Sequence, residues 1–162
     1  MDATAWRNTM GKFATGVTII TTLDEEGQPA GMTANAFTSL SLNPPMVLIC
    51  VDDRSETLAK LLASKKYCVN VLSDSQMELS RRFASKGGPE KFEDVVYFIG
   101  QSGVPVLEGC LASVECTVKE VVRGGDHLIF IAEGTGIHET EGVTEPLLFY
   151  RGKYEKLNII GA

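Results

Sequence analysis

Between Cys110 and Val122 apolar side chains fall on alternate residues. Cys110, Ala112, Val114, Cys116, Val118 and Val122 take one set of positions, and Ser113, Glu115, Thr117 and Lys119 take the other. A period of two belongs to an extended strand with one face on a core, not to a helix. Arg123-Gly124-Gly125-Asp126 then supplies a flexible turn, and His127-Leu128-Ile129-Phe130-Ile131-Ala132 returns as a second strand. A long antiparallel pair is therefore built into the last third of the chain. Pro146 to Tyr150 and Tyr154 to Leu157, split by Arg151-Gly152-Lys153, add a closing hairpin.

The first half reads in the same way. Val17 to Thr22 is β-branched throughout, and the polar loop Asp24-Glu25-Glu26-Gly27 carries it back into Ala30 to Phe37 as a hairpin. Asn43-Pro44-Pro45 interrupts regular structure before Met46 to Val51, an apolar run suited to a strand covered on both faces. Tyr67 to Leu72 is also strand-like. Three helices are expected beside these strands. Trp6, Met10, Phe13 and Ala14 form one apolar face that should dock on the core, with Gly16 as C-cap. Ser55 caps a helix whose Leu58, Leu61 and Leu62 share a face, and Ser75-Gln76-Met77-Glu78 reads as a capping box opening the third. From Ala84 to Val104 the chain is rich in Gly, Pro and charge and reads as a mobile cover. Many short strands, few helices and no βαβ rhythm point to a mainly β fold, a small antiparallel barrel in one domain spanning residues 1–162.

Charge and composition narrow the function. With 15 Lys and Arg against 21 Asp and Glu, the net charge is −6 and no basic block exists to track a phosphate backbone, so nucleic acid is not an expected partner. No apolar run approaches the roughly 18 residues of a membrane span. The N-terminus lacks the pattern of a secretory signal, so a soluble, cytoplasmic protein is expected. Cys50, Cys68, Cys110 and Cys116 form no C-x-x-C pair and sit in apolar surroundings, as reduced, buried thiols do.

Conventional catalytic groups are scarce. His127 and His138 are the only histidines and lack metal-site spacing, so no metal is expected. There is no nucleophile elbow or phosphate loop, and Gly134-Thr135-Gly136 is not completed as a dinucleotide fingerprint. Hard chemistry then falls more naturally to a bound organic cofactor. The stretch from Gly31 to Pro45 is dense in small and hydroxyl residues, which let a flat ring approach the backbone. On chemistry alone it reads equally as a Ser/Thr-rich strand end and turn.

Phe13-Ala14-Thr15-Gly16-Val17-Thr18-Ile19, then Gly31-Met32-Thr33-Ala34-Asn35-Ala36-Phe37-Thr38-Ser39-Leu40-Ser41 with Pro44-Pro45, resembles the short-chain flavin reductases of two-component flavin monooxygenases. Gln76, Leu79-Ser80, Phe83-Ala84, Gly125-Asp126-His127 and Leu148 to Tyr154 continue the likeness in order and spacing. It is similar above all to the reductase component of phenol and 4-hydroxyphenylacetate hydroxylases. The resemblance implies an FMN-binding split β-barrel, antiparallel and Greek-key-like, with a few peripheral helices, working as a homodimer. It further implies FMN or FAD as the flavin, NADH or NADPH as hydride donor, and a flavin-dependent oxygenase that hydroxylates an aromatic substrate as partner.

Carried over residue by residue, the resemblance implies that Thr33, Ala34 and Asn35 hold the isoalloxazine and that Ser39, Leu40 and Ser41 lie beside the ribityl chain. Arg54, Ser55 and Thr57 suit a phosphate, joining a cation and hydroxyls to the start of a helix. Phe83, Ala84, Lys91 and Phe92 would enclose the flavin, Tyr150 would pack on a ring, and His127 would stand by the nicotinamide. A neutral imidazole there would donate a hydrogen bond to the carboxamide or stabilise charge; hydride transfer itself needs no proton relay, only stacked rings at close range. His138 reads as structural. Two rival readings use the same residues. One is a permanent FMN electron carrier or sensor, and the other is a non-enzymatic barrel that binds proteins through its Ser/Thr-rich edge.

Overall fold

The computed structural model describes residues 1–158. Helix α1 (Ala3–Met10) comes first, with the Asp2 carboxylate accepting from the Ala5 amide as its N-cap. Among the described residues twelve strands and two more α-helices follow. They are β1 (Thr15–Gly16), β2 (Thr18–Leu23), β3 (Pro29–Ala34), β4 (Phe37–Leu42), β5 (Pro45–Asp52), α2 (Leu58–Ser64), β6 (Lys66–Val71) and α3 (Met77–Ala84). After these come β7 (Tyr97–Ile99), β8 (Pro105–Leu107), β9 (Ala112–Gly124), β10 (His127–Glu139), β11 (Leu147–Tyr150) and β12 (Lys153–Lys156).

Seven strands form one sheet in the order β3-β2-β6-β9-β10-β5-β4, antiparallel at every pairing. Its edges, β3 and β4, are consecutive in the chain and joined only by Asn35 and Ala36. So short a link between opposite edges requires the sheet to curl on itself, and the Cys50 amide donates to Ala36 O at 3.0 Å, extending the β4–β5 ladder into that link. The result is the antiparallel split barrel expected. Ile20, Ile49, Val51, Tyr67, Val69, Cys116 and Phe130 fill its interior. A second cluster, with Ile19, Leu72, Phe83, Phe92, Leu107 and Leu147, lies on the other side of β2, so that strand is buried on both faces. Asn70 ties the layers together. Its amide donates to Ile19 O and Thr21 Oγ1, while its oxygen accepts from the Leu107 amide and Ser113 Oγ. Among the described residues no helix is long and apolar enough to cross a membrane.

Several local expectations are corrected. Helix α1 stops at Met10, capped by Gly11, and Gly16 lies in β1. It buries no side chain: Trp6 is 53% exposed and Phe13, beyond its end, 79%. Leu62 faces solvent while Leu61 is fully buried. The capping box starts at Ser73, whose amide donates to Gln76 Oε1 at 3.0 Å, and opens a short 3-10 turn ahead of α3. Phe37 to Leu42, read as strand end and turn, is a full strand with an irregularity between Ser39 and Ser41. The Ala84–Val104 segment is fastened rather than loose, since Phe92 and Tyr97 pack into the second cluster. Finally, the polar side of β9 is covered too: Ser113 and Glu115 are buried.

Candidate functional site

Two grooves meet at the turn after β5. The first, about 410 Å³, begins at β3, which supplies Met32 and Thr33. The turn gives Asp52, Arg54, Ser55, Glu56 and Thr57; the end of α3 gives Phe83 and Ala84, followed by Ser85 and Lys86; and Lys91 closes the far side. Local bonding fixes these groups. Thr33 Oγ1 donates to Ser80 O at 2.6 Å, joining β3 to α3. Gly31 O accepts from both Thr57 Oγ1 and Lys91 Nζ, each at 3.3 Å. Gly31 itself must lack a side chain, because a Cβ there would stand 2.9 Å from both the Phe83 ring and Ile20 O. The Gly87 amide donates to Glu56 at 2.9 Å and holds the cover against the turn.

The charges are unevenly committed. Arg54 is 84% exposed and bonds Asp52 through Nε at 3.0 Å and Nη2 at 2.7 Å. Hydrogen bonds from Arg54 hold the Asp52 carboxyl well below the usual carboxylate range. Lys91 is only 7% exposed, and burial pulls its ammonium below the ordinary lysine value against the opposing pull of Glu56 and Glu90. Lys86 makes no ion pair among the described residues. A rim of cations and hydroxyls around an apolar floor of Met32 and Phe83 suits a ring bearing an anionic tail.

The second groove, about 680 Å³, shares Asp52 and Arg54 with the first and adds Asp126 and His127 from the start of β10 and Met1, Ala3, Trp6 and Arg7 from the N-terminus. The pairing of β5 with β10 sets His127 opposite Asp52. His127 Nδ1 lies 2.8 Å from Asp126 Oδ1, and this bond lowers the Asp126 carboxyl below its ordinary value. An ionised carboxylate only accepts, so Nδ1 carries a proton, and whenever the ring is neutral its Nε2 is an acceptor. In that form the ring's single N–H donates to Asp126, which leaves Nε2 to accept rather than donate.

Of the residues expected at the site, Thr33, Arg54, Ser55, Thr57, Phe83, Ala84 and Lys91 line the first groove and His127 the second. The others line neither. Ala34 turns into the barrel core, and the exposed Asn35 donates to Thr15 Oγ1 at 3.3 Å. Ser39, Leu40 and Ser41 lie along the edge strand β4. Phe92 packs edge-on against Phe83 with centroids 4.9 Å apart, and Tyr150 lies under the Arg151 guanidinium. Sequence reasoning missed Met32, Asp52, Glu56, Ser85 and Lys86 in the first groove. Asp52 and Glu56 share a turn with Arg54, Ser55 and Thr57, but the signal of a phosphate site lies in the cation and hydroxyls and not in carboxylates. The contribution of α1 had no signal, since its apolar residues read as a core face.

A curled antiparallel sheet with a cation-rimmed groove near its split, and a histidine-bearing groove beside it, defines a small ligand-binding split barrel. Residues 10–158 match the family described as flavin reductase like domain, and the chain belongs to that family. It is 40% identical over 155 residues to "Flavin-dependent monooxygenase, reductase subunit HsaB" of Mycobacterium tuberculosis, covering 95% of this chain and 82% of that protein. It is 38% identical over 157 residues to an "NADH-dependent flavin reductase" of Rhodococcus sp, covering 96% and 86%. Among solved structures, the Streptomyces globisporus NADH:FAD oxidoreductase SgcE6 "in complex with NAD and FAD fragments" matches with a TM-score of 0.90 at 35% identity, over 97% of this chain and 93% of that one.

Proposed function

We propose that this protein is an NAD(P)H-dependent flavin reductase that works as a homodimer and supplies reduced FMN or FAD to a flavin-dependent oxygenase. The observation that carries the reading is the junction of the two grooves at Asp52 and Arg54, which lets two ligands lie side by side. The chemistry comes from the ligands, as hydride passes from nicotinamide to flavin. The protein's part is to hold them. Arg54, Ser55, Thr57 and Lys86 receive the flavin's phosphate, with Met32, Thr33 and Phe83 under its ring. His127, fixed by Asp126, accepts a hydrogen bond from the nicotinamide carboxamide. The names of the HsaB and Rhodococcus relatives support the activity and the oxygenase partner, and Phe13, Leu42 and Ile137, all exposed, support a second copy covering them.

The test is anaerobic mixing of the protein with NADH or NADPH and each flavin in turn. Flavin-dependent oxidation of the nicotinamide supports the reading. If flavin binds but no nicotinamide is oxidised, the electron-carrier alternative stands instead.

A further inference from the structure

The second groove is larger than a nicotinamide ring requires, and one wall of it is α1. That helix lies almost wholly ahead of the family match, which begins at residue 10. It buries none of its side chains, yet it is held in place: the Arg151 amide donates to Gly11 O at 2.8 Å immediately after its last turn. A helix that contributes nothing to the core but is tied down beside a groove has its packing partner elsewhere.

The groove's charges indicate what that partner is. Asp52 is taken up by Arg54, and Asp126 by the His127 ring. Arg7 makes no ion pair among the described residues, so it is a cation on this wall free for an incoming anion. Beside it, Trp6 offers a half-exposed indole, the side chain best suited to stack on a flat heterocycle.

Resting on the reductase reading above, we propose that α1 is the anchor for the nucleotide half of the hydride donor, with Trp6 stacking on its purine and Arg7 meeting its pyrophosphate. His127 holds the nicotinamide end of the same molecule. Donor recognition is then divided between the turn before β10 and a helix outside the barrel, and the reacting ring is positioned partly by contacts at the other end of the donor.

Reduced nicotinamide mononucleotide, which lacks the adenosine half, separates this from a structural role for the helix. Trp6→Ala and Arg7→Gln are compared with the parent protein for flavin-dependent oxidation of NADH and of the mononucleotide, with flavin affinity measured alongside. The expected result is a roughly tenfold loss of kcat/KM for NADH in each variant, with the mononucleotide rate and flavin affinity unchanged. Equal losses for both donors, or no loss for either, overturn the proposal. If the parent protein oxidises neither donor, the reductase reading itself has failed, and that outcome is distinct because it needs no variant. Both side chains are solvent-facing, so the variants are expected to fold, and an unchanged melting temperature checks this.

Discussion

Arg54 and Asp52 form a two-point contact, Nε to Oδ1 and Nη2 to Oδ2, that fixes the plane of a guanidinium bordering both grooves. Ion pairs this exposed contribute little to folding, so the contact's importance is in positioning. Arg54→Ala is expected to weaken flavin binding roughly tenfold to a hundredfold by removing a charge-assisted bond to phosphate, with the melting temperature unchanged. Flavin fluorescence titration and thermal unfolding of the same samples check both halves of the statement.

Asp126 dictates which nitrogen of His127 is left unbonded. Asp126→Asn offers that ring a donor as well as an acceptor, which frees the proton to move to Nε2. We expect kcat/KM for NADH at neutral pH to fall about tenfold while flavin affinity holds. A flavin affinity that fell in step would show that the turn had moved as a whole.

Glu115 is fully buried and accepts from the Ser102 amide at 2.6 Å, the Gln101 amide at 3.2 Å and His138 Nε2 at 2.8 Å. Burial alone would raise its carboxyl above the ordinary value, but these bonds together outweigh it and leave the group lowered. A carboxyl lowered in the folded state binds fewer protons than in the unfolded chain. Its stabilisation is therefore present above the unfolded value of about 4.3 and is lost as pH falls through the folded one. Glu115→Gln is expected to cost about 3 kcal/mol near pH 7, roughly 6–12 °C in melting temperature, with the gap to the parent protein narrowing below about pH 4. Thermal unfolding across that pH range measures it.

Gly31→Ala places a methyl group between the Phe83 ring and Ile20 O, each 2.9 Å away. Phe83 must shift, and with it the floor of the first groove. The expected cost is about 1–3 kcal/mol of stability together with weaker flavin binding. Retention of full flavin affinity would show that the groove tolerates a displaced Phe83.

The strands of the barrel could be read because their patterns are local: alternation in β9, β-branched residues in β2 and Gly-rich turns between them. What escaped depended on partners distant in sequence. Glu115 looked solvent-facing because nothing in its own strand announces that Gln101 and Ser102 will cover it. Trp6, Met10 and Phe13 looked like a core face because exposed and buried apolar stripes share one spacing. The phosphate-suited Arg54, Ser55 and Thr57 were found together because a single turn carries them, whereas Lys86 belongs to the same rim only through the packing of α3 against β3.

Burial of the cysteines has a chemical consequence. Cys68, Cys110 and Cys116 are sealed in the interior, and burial pushes the thiols of Cys110 and Cys116 up to about 11 and about 12 and that of Cys68 higher still. Half-buried Cys50 is shifted upward for the same reason. Reduced flavin that escapes into air generates hydrogen peroxide, which attacks thiolates far faster than protonated thiols. Sulfur kept protonated and out of reach at Cys68, Cys110 and Cys116 lets such a protein survive its own by-product, and makes alkylation of those three by iodoacetamide a direct gauge of how often the barrel opens.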